Sequence, residues 1–206
     1  AFGIFFNQGE VCSANSRLLV HSSIRDEMIA KLKERAEQIK QGDPLDPATK
    51  IGAMVDNNHA STVEAFLNVG KGEANLITGG SRFAIGDSDA FIQPTIFADV
   101  PKDSTIARDE IFGPVLAIQT FETESEAVEM ANNSLYGLAA SVWTADLTRA
   151  MDFSDKLHVG TVSVNTVDAL SAMTPFGGMK QSGFGRDLSI HSFDKYTALK
   201  TIWVKY

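Results

Sequence analysis

Val115-Leu-Ala-Ile-Gln-Thr-Phe121 is a nearly continuous apolar run, the signature of a strand covered on both faces. Thr123-Glu-Ser-Glu126 follows it, a capping-box pattern that opens a helix to about Asn132. Ala139–Trp143 then reads as a strand, Asp146–Leu157 as a helix stopping before Gly160, and Thr161–Val164 as another strand. Strands alternating with helices predict an α/β domain with a mainly parallel sheet and flanking helices.

Upstream, residues 16–20 read as a short strand. Ser23-Ile-Arg-Asp26 matches a capping box, and Ile24, Met28, Ile29, Leu32, Ala36 and Ile39 recur at helical spacing, so 23–40 is expected to be an amphipathic helix. Gly42-Asp-Pro-Leu-Asp-Pro47 is a proline-punctuated loop. A second helix is expected over about 57–69, with Val63, Phe66 and Leu67 inward, and a short strand over 75–78 ended by Gly79-Gly80. Residues 81–90 read as loop and 91–98 as extended, Pro94 weakening that segment as a central strand. Residues 175–185 are glycine-rich, and 196–204 reads as a final strand with apolar groups on both faces. A terminal strand of that kind pairs with another sheet or subunit.

The chain has 206 residues, 44% of them hydrophobic, enough for a substantial core. Acidic residues outnumber basic ones, 26 to 18, for a formal net charge of −8. That sign repels phosphate backbones and argues against nucleic acid as a partner. No apolar stretch approaches the roughly 20 residues that span a bilayer, so no membrane association is expected. The opening run Ala1-Phe-Gly-Ile-Phe-Phe6 lacks the basic flank of a signal peptide and reads as a buried element that starts in mid-fold, as in a fragment. A single cysteine forms no internal disulfide, which fits a reducing, cytoplasmic setting.

Three segments carry candidate chemistry. Cys12 lies among Gln8, Gly9, Glu10, Ser13 and Asn15, small and polar neighbours that favour an accessible loop, although a lone cysteine is more often a small buried hydrophobe. Arg108-Asp-Glu-Ile-Phe-Gly-Pro114 reads in isolation as a turn entering the strand at Val115. Thr174-Pro-Phe-Gly-Gly-Met-Lys-Gln-Ser-Gly-Phe-Gly-Arg186 fits neither phosphate-binding glycine pattern, and reads as a closely packed crossover. His21, His59, His158 and His191 fall in no motif, and no cluster has metal-ligand spacing.

In this order and spacing the segments resemble the NAD(P)-dependent aldehyde dehydrogenases. Phe6-Asn-Gln-Gly-Glu-Val-Cys12 is similar to that family's cysteine signature and Glu110-Ile-Phe-Gly-Pro114 to its second motif. Asn165 with Pro175-Phe-Gly-Gly-Met-Lys-Gln-Ser-Gly-Phe-Gly-Arg186 resembles its C-terminal signature, and Leu135-Tyr-Gly-Leu-Ala139 fits as well.

The resemblance implies Cys12 as a nucleophile that carries a thiohemiacetal and then a thioester. It also implies Glu110 on the ribose of NAD or NADP, Phe112 beside the nicotinamide ring, and Leu170 and Phe176 lining the aldehyde tunnel. Residues 165–176 resemble members acting on ω-aminoaldehydes, such as the γ-glutamyl-aminobutyraldehyde enzyme. Asp168 is then a candidate partner for a cationic substrate tail, or only a cap of its loop. Residues 1–195 would form the catalytic domain and 196–206 the strand through which a homo-oligomer assembles. The NAD-binding domain, the oxyanion asparagine and the general-base glutamate find no match in these residues, so the chain alone is expected to be inactive. A cysteine hydrolase or acyl-transferase and a non-catalytic interaction fragment are the alternatives.

Overall fold

A computed structural model describes all residues, Ala1–Tyr206. The order of elements is α1 (Phe2–Phe5), β1 (Arg17–His21), α2 (Arg25–Glu37), α3 (Asn57–Glu73), β2 (Asn75–Thr78), β3 (Arg82–Ile85), β4 (Ser88–Ile92) and β5 (Thr95–Ala98). There follow α4 (Thr105–Arg108), β6 (Val115–Phe121), α5 (Glu124–Asn132), β7 (Tyr136–Gly137), β8 (Ala139–Val142), α6 (Leu147–Lys156), β9 (Thr161–Val164) and β10 (Met179–Lys180).

The main sheet has the order β1-β6-β5-β2. β6 pairs in parallel with β1 and β5, and β2 closes one edge antiparallel to β5. β6 is buried from Val115 to Gln119, as its continuous apolar run requires. Successive side chains of a strand point to opposite faces, and the core divides accordingly. Val115 and Ala117 join Phe97, Val63 and Leu67 beneath α3, while Leu116 and Ile118 join Ile96, Val20, Ile29 and Leu32 beneath α2. Each large aliphatic side chain so buried contributes about 2 kcal/mol of hydrophobic stabilisation before conformational entropy is subtracted.

The α/β class and the mainly parallel sheet agree with expectation. So do the bounds of β2, β6 and β9 and the cap of α5, where the Thr123 hydroxyl accepts from the Glu126 N–H at 3.2 Å. β8 and β9 form a separate parallel pair. No helix is long and apolar enough to cross a membrane.

Four expectations are corrected. Ser23 does not cap a helix; its N–H donates to His21 Nδ1 at 3.2 Å, a local turn that competes with capping, and α2 begins only at Arg25. Residues 81–90 are not loop: β3 and β4 form a hairpin turning at Gly86, with Phe83 opposite Phe91. The extended segment 91–98 is broken at Gln93-Pro94, so Ile92 ends the hairpin and Thr95 starts a strand of the main sheet. The strand expected over 196–204 forms no ladder; Leu199, Trp203 and Tyr206 are fully exposed, and a strand without a partner has no hydrogen bonds to define it.

Candidate active site

The segment before Cys12 is bent by three successive residues in the left-handed region, Asn7 (φ 48°), Gln8 (φ 60°) and Gly9 (φ 74°). Glycine is required at the third, because a Cβ on Gly9 would stand 2.2 Å from the Gly113 carbonyl oxygen. This close approach joins the cysteine segment to the Glu110–Pro114 turn. Side chains fasten the bend elsewhere: Gln8 Oε1 accepts from the Gly52 N–H at 3.3 Å and Glu10 Oε1 from the Val55 N–H at 3.0 Å. Glu10 is therefore turned toward residues 55–59, with its side chain only 9% exposed.

Cys12 is exposed on the loop that follows. The N–H groups of Glu10, Ala14, Asn15 and Ser16 each donate to a carbonyl of the chain, whereas that of Cys12 has no such partner. Ser13 Oγ donates to Asp168 Oδ1 at 2.6 Å, bringing residues 165–168 beside the cysteine loop. Phe2, Phe6, Val11 and Val167 line a shallow cleft there with Ser13 and Asp168. Arg17, at the end of the segment, reaches the C-terminus of α5 and donates to the Ala131 carbonyl at 2.9 Å; burial pulls its pKa down.

Glu110 is exposed, and Phe112 is partly so at a strained φ of 56°. His59 Nε2 lies 2.7 Å from the Phe112 carbonyl oxygen and 3.7 Å from Glu10 Oε1, and its ring meets the Phe112 ring edge-on at 6.1 Å. An accessible carboxylate next to a half-exposed aromatic ring suits a nicotinamide riboside, whose hydroxyls donate and whose ring is flat. His59 and Ser13 touch these segments although no motif marks either of them.

Leu170 is half exposed and Phe176 half buried, and neither lines the cleft beside Cys12. Phe176 is pinned by two backbone hydrogen bonds with Asp187, at 2.9 and 2.6 Å. Asn165 clamps the end of β8, exchanging two 2.9 Å hydrogen bonds with the Thr144 backbone. The glycine-rich segment is a packed crossover: a Cβ on Gly160 would lie 1.6 Å from the Gly177 oxygen, and Arg186 Nη1 donates to the Gly178 and Gly185 carbonyls at 2.9 and 2.7 Å. Lys180 Nζ binds the Asn132 and Ser134 carbonyls at 2.9 and 3.1 Å. No three His, Cys, Asp or Glu side chains are grouped to hold a metal ion.

The aldehyde dehydrogenase family model matches residues 1–202. The NADP/NAD-dependent aldehyde dehydrogenase PuuC of Escherichia coli is 47% identical over 204 residues, covering 99% of this chain and 41% of that protein. A betaine aldehyde dehydrogenase of Sinorhizobium fredii is also 47% identical, covering 98% of this chain and 42% of that one. Among solved structures, the P. syringae indole-3-acetaldehyde dehydrogenase AldA, a cysteine-to-alanine mutant in complex with NAD+ and IAA, superposes with a TM-score of 0.96 at 47% identity, covering all of this chain and 42% of that one. The chain thus spans about two fifths of the length of the relatives it matches.

Proposed function

Because the chain belongs to the aldehyde dehydrogenase family, we propose that it supplies the cysteine-bearing part of an enzyme that oxidises aldehydes to carboxylic acids with NAD or NADP. Residues 1–195 form the catalytic portion, 196–206 assemble with a partner, and the main dinucleotide-binding domain lies outside these residues. The supporting observation is the seat of Gly9 against the Gly113 carbonyl, which sets an exposed cysteine segment directly on the turn bearing Glu110 and Phe112.

Cys12 Sγ, as the thiolate, attacks the aldehyde carbonyl and forms a C–S bond. The carbonyl oxygen becomes an oxyanion, and the unpaired Cys12 N–H is free to donate to it. Loss of hydride from that adduct leaves a thioester on Sγ; NAD(P), were it bound, would supply the hydride acceptor. Glu110, with its exposed carboxylate, and Phe112, with its partly exposed ring, are the residues that would hold it, on the ribose hydroxyls and beside the nicotinamide. Water then cleaves the thioester, releasing the acid and regenerating the Cys12 thiol. A reducing cytoplasmic setting keeps that thiol unoxidised. A cysteine hydrolase would need a histidine on Sγ, but His59 is engaged by Phe112 and Glu10.

For the substrate we propose the aminoaldehyde class, on the placement of Asp168. Ser13 donates to one of its carboxylate oxygens, which holds the exposed Asp168 side chain beside the cysteine loop. A carboxylate there suits an aldehyde with a cationic tail, the aminoaldehyde class. Identity alone does not decide this, since the betaine aldehyde and indole-3-acetaldehyde enzymes are equally similar.

Steady-state NADH formation tests the main reading. In the full-length protein, Cys12→Ala should lower aldehyde-dependent NADH formation by at least about a thousandfold while NAD+ binding persists. The 206 residues by themselves should form no NADH. Turnover retained by the variant, or shown by the 206-residue chain, would refute the corresponding claim.

A further inference from the structure

His59 joins two motifs that are far apart in the chain. Its Nε2 is 2.7 Å from the Phe112 carbonyl oxygen. A carbonyl only accepts, so Nε2 carries the hydrogen and donates, whether the ring is neutral or charged. Behind that same nitrogen, 3.7 Å away, stands Glu10 Oε1, in a side chain 9% exposed and itself held by the Val55 N–H. His59 is placed by its own helix: Asp56 caps α3 by accepting from the His59 N–H at 2.8 Å. The group that His59 holds is strained, since Phe112 is a non-glycine residue at φ 56°, a conformation the surroundings must sustain. The carbonyl of the next residue, Gly113, abuts Gly9.

We propose that His59 is a positioning residue that fixes the left-handed Phe112 peptide, and with it the orientation of the Phe112 ring toward the nicotinamide. Glu10 is the anchor behind it, two residues from Cys12, so one side chain sets the nicotinamide-facing turn relative to the nucleophile. The role rests on the aldehyde dehydrogenase reading. It requires no contact between His59 and the reacting atoms. It predicts an effect on cofactor binding and none on the thiol itself.

The test is calorimetric titration of the full-length protein with NAD+, together with the rate of Cys12 alkylation by iodoacetamide in the absence of cofactor. His59→Phe keeps an aromatic ring but removes the donor. It should raise the NAD+ dissociation constant about five- to tenfold, the consequence of one lost hydrogen bond. His59→Gln, which retains an N–H donor, should restore binding to within about twofold of wild type. Glu10→Gln leaves His59 in place and removes only the charge behind it, so it should weaken binding about two- to threefold, and it serves if His59→Phe does not fold. Alkylation rates of the two His59 variants should stay within about twofold of wild type, because His59 does not touch Sγ. Equal NAD+ affinity in wild type and His59→Phe, or equal losses in His59→Phe and His59→Gln, would overturn this role and leave the function standing. Failure of the wild-type protein to bind NAD+ or NADP+ would overturn both.

Discussion

Asp168 concentrates the question of substrate in one carboxylate. Its backbone is left-handed (φ 52°) and it is tied to Ser13, the residue after Cys12. It accepts from Ser13, which steadies the loop, and the proposed substrate reading adds a second role, offering charge to a cationic tail. Asp168→Asn separates them, since an amide oxygen still accepts from Ser13 but carries no charge. If charge recognition operates, Asp168→Asn and Asp168→Ala both raise KM for an ω-aminoaldehyde, by up to about fivefold for so exposed a pair. Both leave an apolar aldehyde of equal length unchanged. Losses of the same size on both aldehydes would reduce Asp168 to a loop cap. Cys12, Glu110 and Phe112 are legible in the sequence because each lies in a contiguous motif. His59 and the Ser13–Asp168 pair are not, because their partners are 53 and 155 residues away. Phe176 lies in the C-terminal signature and Leu170 in the stretch before it, and in this chain Leu170 is half exposed and Phe176 half buried.

Among the elements, α4 shows how a short helix is held where it is needed. It has only four residues and runs directly into Asp109-Glu110. Glu73, the last residue of α3, accepts from the Thr105 N–H and hydroxyl and from the Ile106 N–H, so one helix supplies the N-terminal acceptor of the next. Burial pushes the Glu73 carboxyl up, but these three hydrogen bonds outweigh it and hold its pKa below the ordinary glutamate value. A pKa depressed in the folded state favours the fold wherever the unfolded carboxyl is ionised. The contribution is complete above the ordinary value and is lost as pH falls through the lower folded value. Glu73→Gln should therefore lower the urea midpoint at neutral pH, and the gap from wild type should close on acidification. A gap of constant size from pH 7 to pH 3 would show that Glu73 acts by packing alone. The longer elements are readable because period and apolar content agree along them, as in β6 and α3. The β3–β4 hairpin is not, because each arm is only four or five residues long and each opens on polar residues, Arg82 in the first and Ser88-Asp89 in the second.

For the molecule as a whole, the unsettled surface is its last eleven residues. The main sheet is covered on both faces by α2 and α3, which leaves β1 and β2 as its edges. Residues 196–206 make no strand pairing, and Leu199, Ile202, Trp203, Val204 and Tyr206 are all exposed. In an extended conformation Ala198, Ile202 and Val204 fall on one face and Leu199 and Trp203 on the other. Apolar groups on both faces suit a strand sandwiched in a sheet, not one lying on a wet surface. So large an apolar stretch left in water drives association. The 206-residue chain should therefore show a light-scattering mass that rises with concentration. A version ending at Lys195 should stay monomeric and melt at nearly the same temperature, because the removed residues bury nothing in the core. A monomeric mass for the 206-residue chain across a broad concentration range would remove residues 196–206 from the assembly surface. A large drop in melting temperature on truncation would instead mean that the segment packs on its own domain, as an unpaired strand with two apolar faces would do if it found an edge within the chain.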